Sequence, residues 1–448
     1  MSRKRHTRNN NRDQKRIATI CLSAYSPPPL HHLTHINNFS RAFLNHLFFI
    51  FSIALAGIFF SSCEGKAPGQ EVIPNKQGEI PILAWYSIPA EEATLARYQE
   101  LKDAGFNLTF SHTSTFEEAL QALDLAAAVG IKSIFSCAEL EKEPEATVNK
   151  VKNHPGLAGY FLRDEPVCSG FPELAAWAKR IRAVDNEHYC YLNLLPNYAP
   201  DEVLGDTYQR YVQRFIEEVD LQVLSFDFYP IVGDNLIRER WYENLEVIAE
   251  ESRKSGKPFW AFALSTAHNP YPIPNIAHLK VQMYSNLAYG AQYLQYFTYW
   301  TPADTTIWNF HEGPISYTKK RSQVYELVRE VNKELQNRAF VFMGAKTLSI
   351  RHTGATIPAG TKRLEQLPPI VKTLDTKDDG AIVSLLENDG YQYLVIVNKS
   401  IVKPIDLSIS FNDKTELILK DGSTEDASKY GSWYRIDAGD AELFRWRK

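Results

Sequence analysis

The chain has 448 residues, 44% hydrophobic and 23% charged, which suits a large globular domain plus a smaller one and excludes a low-complexity chain. Its formal charge of −4 is uneven: residues 1–41 hold eight Lys/Arg and one acid, leaving 41 basic against 52 acidic residues beyond them. An acidic body argues against nucleic acid as a partner.

The basic head leads into an apolar run over residues 42–60, followed by Ser61-Ser62-Cys63. Basic flank, apolar core and small residues before a cysteine make an export signal. The arrangement resembles a bacterial lipobox, which implies that Cys63 is the lipidated first residue of the mature chain. An uncleaved anchor is the alternative, since about 19 apolar residues just span a bilayer. Both readings put the body in the cell envelope, outside the cytoplasm, with the membrane engaged through a lipid anchor alone in the first. Residues 1–62 are thus an export segment, and 63–79, rich in Gly, Pro, Lys and Glu, a flexible tether. Cys137, Cys168 and Cys190 remain in the body without metal-type spacing; buried thiols are expected, with a Cys168–Cys190 bridge conceivable.

From Ile80 the chain alternates strand-like and helix-like segments. Strand-like runs centre on Leu83, Leu108, Ile134, Tyr160, Tyr191, Leu224, Trp260 and Gln295, spaced 25 to 36 residues apart. Amphipathic segments fill the gaps, among them 90–104, 116–129, 172–184 and 241–255. Gly105, Gly130, Gly256 and Gly290 sit where helix C-caps belong. Eight such units over about 260 residues predict a (β/α)8 TIM barrel across residues 80–344. An open doubly wound sheet is the competitor. It would want a Gly-rich turn after strand one, where Trp85-Tyr86-Ser87-Ile88-Pro89 stands instead. A helix is expected over 317–336. Beyond it, short alternating runs at 347–352, 381–386, 393–398, 405–411, 415–419 and 441–446 predict a small all-β sandwich over 345–448. Asn388-Asp389-Gly390 marks a hairpin.

A barrel gathers its strand ends at one mouth. Strand one brings Trp85 there, strand two His112, strand four Arg163, Asp164 and Glu165, and strand five Asn193. Strand six brings Asp227 and Tyr229, strand seven His268, and strand eight Tyr299 and Trp300. Period-2 alternation sets Arg163 and Glu165 on one face and Asp164 on the other. A guanidinium beside Glu165 would favour its ionised form or bind a substrate hydroxyl. Carboxylates, aromatics and amides without a phosphate loop or metal pattern suit glycosidic bond chemistry, with a carbohydrate as substrate and no cofactor. That chemistry needs one carboxyl to protonate the leaving oxygen and a second as nucleophile or base. For single residues the bland alternatives are strand capping by Asp227, a core role for Trp300 and a wall role for His112 or His268.

The motifs Gly159-Tyr160-Phe161-Leu162-Arg163-Asp164-Glu165-Pro166, Ser225-Phe226-Asp227-Phe228-Tyr229-Pro230 and Tyr296-Phe297-Thr298-Tyr299-Trp300 complete the picture, with Gly439-Asp440-Ala441-Glu442-Leu443-Phe444 near the end. Together they resemble bacterial lipoproteins of the glycoside hydrolase barrel superfamily, in the clan of β-galactosidases and cellulases. The resemblance spans roughly Ile80 to Lys448 and implies that Glu165 is the general acid/base. Two departures stand out. Asp164 occupies the clan's asparagine position, and strand seven, Trp260 to Ser265, has no carboxylate for the clan's nucleophile. Asp227 is then the expected second carboxylate, with Asp164, Glu139 or Glu312 as alternatives, and a non-catalytic glycan-binding barrel as the competing function. A metal-dependent hydrolase is disfavoured because no His-x-His ends strand one.

Overall fold

The computed structural model describes residues 78–233, 236–303 and 307–448. The export segment, Cys63 and nearly all of the tether lie outside them. Eight parallel strands form the first layer: β1 (Ile82–Trp85), β2 (Leu108–Thr109), β3 (Lys132–Phe135), β4 (Leu157–Asp164), β5 (Tyr189–Asn193), β6 (Leu224–Phe226), β7 (Phe259–Leu264) and β8 (Tyr293–Phe297). Their order is β5-β4-β3-β2-β1-β8-β7-β6, and the ends meet where the Leu194 N–H donates to the Ser225 carbonyl (2.7 Å). This is the TIM barrel, and each expected strand centre falls inside a strand.

Alternation along each strand splits the core in two. Leu83, Trp85, Ile134, Phe161, Tyr191, Trp260 and Phe262 face the barrel interior, while Ile82, Ala84, Tyr160, Leu192 and Tyr296 face the helices. Each fully buried large side chain contributes about 1.5–3 kcal/mol. Trp260 stacks on Tyr293 at 4.1 Å and helps fill the interior below the mouth.

Helices follow the sequence signals closely. Phe116–Val129 starts at a capping box, with the Thr115 hydroxyl accepting from the Glu118 N–H, and ends on Gly130 at φ 76, a left-handed turn that glycine adopts without strain. The helix expected from residue 317 begins later, at Gln323, because the Ser322 side chain caps it there by accepting from the Val324 N–H.

The second body is a sandwich. Strands β9 (Lys346–His352), β10 (Val371–Asp375), β11 (Ala381–Asn388), β12 (Tyr391–Asn398) and β13 (Ile405–Phe411) come first. They are followed by β14 (Glu416–Ile418), β15 (Thr424–Asp426), β16 (Trp433–Ile436) and β17 (Ala441–Arg447). One sheet runs β9-β11-β12-β17-β14-β15 and the other β10-β13-β16, with Val383, Leu394, Ile396, Leu407, Ile409 and Phe444 between them. Asp389 and Gly390, both at positive φ, turn β11 into β12. Strands β10, β15 and β16 lacked a clear alternating signal in the sequence.

Barrel and sandwich share one apolar cluster, in which Leu386, Val395 and Leu443 join the buried helix Ile276–Ala288. Within that seam Lys280 donates to Glu334 (2.8 Å) and Asp440 (2.9 Å), so a buried cation is matched by two carboxylates. Cys137, Cys168 and Cys190 are buried free thiols, so the conceivable Cys168–Cys190 bridge is absent. Among the described residues no helix is long and apolar enough to cross a membrane.

Candidate active site

Strand β4 carries the site, and it does so by breaking its own alternation. Its pairing with β5 slips between Phe161 and Asp164, and the next residue, Glu165, takes φ 48. A non-glycine residue there is strained, and the following Pro166 would favour an extended Glu165. Two bonds hold the turn: the Glu165 N–H donates to the Asn193 carbonyl (2.9 Å), and the Asn193 amide donates to Asp164 Oδ1 (3.1 Å). Strain of about 1–3 kcal/mol held by its surroundings is characteristic of functional positions.

The consequence is that Asp164 and Glu165 converge on Asp227 at the end of β6, instead of facing opposite ways as simple alternation predicts. The Glu165 and Asp227 carboxyls are in hydrogen-bond contact, and Asp164 acts on both through its charge. Burial and these two neighbours push the Glu165 proton affinity well above the usual carboxylate range. Burial and Asp164 raise Asp227 to about 7. Asp164, which keeps a water-accessible edge, rises to about 6 through burial, opposed by its bond from Asn193. At neutral pH the Glu165–Asp227 pair therefore holds a proton, as two touching carboxyls do.

A polar relay through the barrel interior fixes the asparagine. Tyr191 donates to Gln295, whose amide donates to Ser225 Oγ (2.8 Å), which donates to Asn193 Oδ1 (2.7 Å). Every group in the relay is satisfied, so the Asn193 amide has a fixed direction towards Asp164.

Aromatic residues wall the mouth. Trp85 lies against Phe110, His112 and Phe297 at 5.6, 5.2 and 5.5 Å, and His112 also meets Phe161 at 5.3 Å. Tyr229 lies beside Asp227, whose charge its phenol feels, and stacks on Phe297 at 5.4 Å. His268 Nδ1–H donates to the Thr266 carbonyl (3.1 Å), and the ring stands 4.6 Å from both Tyr271 and Phe310. Burial lowers His268 to about 4, so its ring is neutral at pH 7, while His112 stands at the solvent-exposed rim of the mouth. Trp300 borders a cleft of about 370 Å3 with Tyr86, Ser87, His112, Tyr317 and Lys319. The Arg97 guanidinium lies 5.2 Å from its ring.

Two expected site residues are elsewhere. The Arg163 guanidinium donates to Glu173 (3.1 Å) and lies 3.7 Å from Glu141, both on helices outside the barrel, because its side chain departs on the outer face of β4. Tyr299 is fully buried between barrel and helices, 5.4 Å from Phe106, because the chain after β8 turns its ring into the outer layer. Of the alternative second carboxylates, Glu139 bonds to the Cys137 thiol at the start of the helix after β3, and Glu312 is exposed on the loop after β8. Sequence reasoning missed Tyr198, whose phenol feels the charges of Asp227, Glu165 and Arg238, and Arg238 itself, 4.5 Å from the Tyr198 ring and 5.3 Å from Tyr271. Gln295 was also missed, although an amide inside Tyr-Leu-Gln-Tyr-Phe is a polar residue at an interior position and hence a legible signal.

No family model matches the sequence, and no curated protein matches it. Solved structures with this fold are numerous. The β-galactosidase of Bacillus circulans sp. alkalophilus superposes with a TM-score of 0.56 at 10% identity, over 84% of this chain and 100% of its own. A family 39 glycoside hydrolase from Bacteroides cellulosilyticus WH2 gives 0.50 at 11% identity, covering 82% and 81%. An Anoxybacillus alpha-amylase gives 0.51 at 10% identity, covering 83% and 98%. The class defined is a TIM barrel followed by a β domain, and these structural neighbours are glycoside hydrolases.

Proposed function

We propose that this chain is an exported glycoside hydrolase that cleaves O-glycosidic bonds of an oligo- or polysaccharide, with Glu165 as general acid/base. The observation that carries this reading is a carboxyl kept protonated at a barrel strand end, in contact with a second carboxyl and ringed by aromatic walls. Glu165 gives its proton to the glycosidic oxygen as the bond to the anomeric carbon breaks, and then takes one from the incoming water. Asp227 and Asp164 offset the positive charge that develops on the sugar ring. Trp85, Tyr229, His268 and Trp300 offer ring faces to the pyranose, and Asn193 keeps Asp164 in place. In the same proposal Cys63 carries the lipid that tethers the enzyme to the bacterial envelope.

Glu165→Gln tests it. Removing the proton should lower turnover by about 10²–10⁴-fold while glycan affinity stays within a few fold. Unchanged turnover would remove Glu165 from the mechanism. The absence of a carboxylate on β7 favours a second reading, a barrel that binds glycans without cutting them. A wild type that binds sugars yet releases no reducing ends from a broad panel would establish that reading instead.

A further inference from the structure

Two carboxyls that touch cannot straddle a sugar. A retaining pair stands about 5–5.5 Å apart across the anomeric carbon and an inverting pair about 6.5–9.5 Å, with water between. Glu165 and Asp227 instead meet on one side of the mouth. On the β7 side, Leu264 is buried in the aliphatic and aromatic interior. The hydroxyls of Ser265 and Thr266 are both within bonding distance of the Thr298 carbonyl, at 2.8 and 3.0 Å. That wall presents no carboxylate to attack the anomeric carbon.

The buried polar atoms of this mouth without a protein partner include Asp227 Oδ1, an acceptor, and Trp85 Nε1, a donor on a residue 6% exposed. Buried polar groups are nearly always satisfied, so each such atom calls for an explanation. One acceptor and one donor complement a secondary amide, which has one N–H and one C=O. Both belong to the same aromatic wall, since Trp85 and Tyr229, the latter next to Asp227, flank Phe297 at 5.5 and 5.4 Å.

We propose that the substrate is a 2-acetamido sugar, that Asp227 and Trp85 receive its amide, and that the amide oxygen is the nucleophile the protein lacks. This rests on the glycoside hydrolase reading. In the first step the acetamido oxygen bonds to the anomeric carbon while the bond to the leaving oxygen breaks. Glu165 protonates that oxygen, and a cyclic oxazolinium forms. Its N–H donates to Asp227, whose charge offsets the cation. In the second step water adds to the anomeric carbon, the ring C–O bond to the amide oxygen breaks, and Glu165 takes the water proton. The acetamido group is regenerated and the pair is reset. A nucleophile held within the substrate reaches effective concentrations of about 10⁵–10⁸ M, which removes the need for one on β7.

The experiment compares aryl glycosides, in several hexose configurations, that differ only at carbon 2: acetamido, trifluoroacetamido and hydroxyl. The expected result for the full chain is kcat/KM at least about 100-fold higher with acetamido than with hydroxyl, and a fall with trifluoroacetamido, whose oxygen is less nucleophilic. Trp85→Phe keeps an aromatic ring but removes the donor, and should raise KM several-fold for the acetamido substrate and not for the hydroxyl glycoside, a split that lost packing alone would not produce. Equal or better cleavage of the hydroxyl glycoside, or esterification of a carboxylate of the chain by a 2-fluoro glycoside, would overturn the amide proposal and leave the hydrolase reading intact. Cleavage of none of the glycosides would end both.

Discussion

Replacing Asp227 by Asn keeps the shape of the site and removes one of the two charges that hold Glu165 protonated. Two unit charges about 4 Å apart interact by about 4 kcal/mol at an effective dielectric near 20. One pH unit corresponds to about 1.4 kcal/mol, so a fully charged Asp227 is a strong enough neighbour to move a carboxyl that touches it. Asp227 itself is raised to about 7, so below that pH its charge is only partly present. Glu165 should therefore titrate at lower pH in Asp227→Asn, while burial and Asp164 still hold it above the ordinary carboxylate range. Carbon-13 labelling of glutamate carboxyls, with Glu165→Gln identifying the signal, reads the titration without any substrate. The basic limb of kcat/KM, measured with a highly activated leaving group, should move down by the same amount. A Glu165 inflection that stays in place or rises would refute the claim that the two carboxyls share a proton.

Three further outcomes follow from the same geometry. Asp164, Asp227, Glu165 and Glu442 bind protons more tightly folded than unfolded, so they cost stability as pH rises from about 4 through about 7. Buried His268, His278 and His352, lowered to about 4, 4 and 3, do the reverse and cost stability as pH falls below about 6.5. The two sets nearly cancel between pH 5 and 6.5, so urea denaturation should show a broad maximum there and a loss of about 1–3 kcal/mol by pH 8, smaller in Asp227→Asn; stability that climbs from pH 6.5 to 8 would contradict this. Lys280→Met removes the cation shared by Glu334 and Asp440, which keep Arg338 and Lys420 as partners, and should cost about 1.5–3 kcal/mol by urea denaturation, whereas a loss under about 0.5 kcal/mol would mean those partners compensate fully. Arg163→Ala should leave kcat/KM within about two-fold and stability within about 1 kcal/mol, since its partners Glu173 and Glu141 are exposed helix residues; a ten-fold loss of activity would return Arg163 to the site.

Much of the architecture was legible because its signals are local. Apolar runs about 30 residues apart, separated by amphipathic segments with Gly caps, specify strand–helix units through periodicity alone. Asn388-Asp389-Gly390 specifies its own turn. The strands that escaped notice in the sandwich are ones such as Val371–Asp375, whose exposed Lys372 and Thr373 dilute the alternation.

Side-chain direction at the strand ends was another matter. Strict alternation pairs Arg163 with Glu165, yet the slip against β5 and the left-handed turn at Glu165 send Arg163 outward and bring Asp164 and Glu165 together. Tyr299 likewise read as a mouth residue because it follows β8 and proved to belong to the outer layer. The amino-acid sequence by itself determined that there would be a barrel, that a β domain would follow, and that Glu165 and Asp227 would end two of the strands. Only the tertiary structure decided that those two carboxyls touch and that the proton stays between them, on one side of a mouth whose β7 strand already lacked a carboxylate in the sequence. Strand identity is written in the spacing of neighbours along the chain. Contact between β4 and β6 depends on register, closure and burial summed over the whole barrel, and a proton affinity depends on that contact.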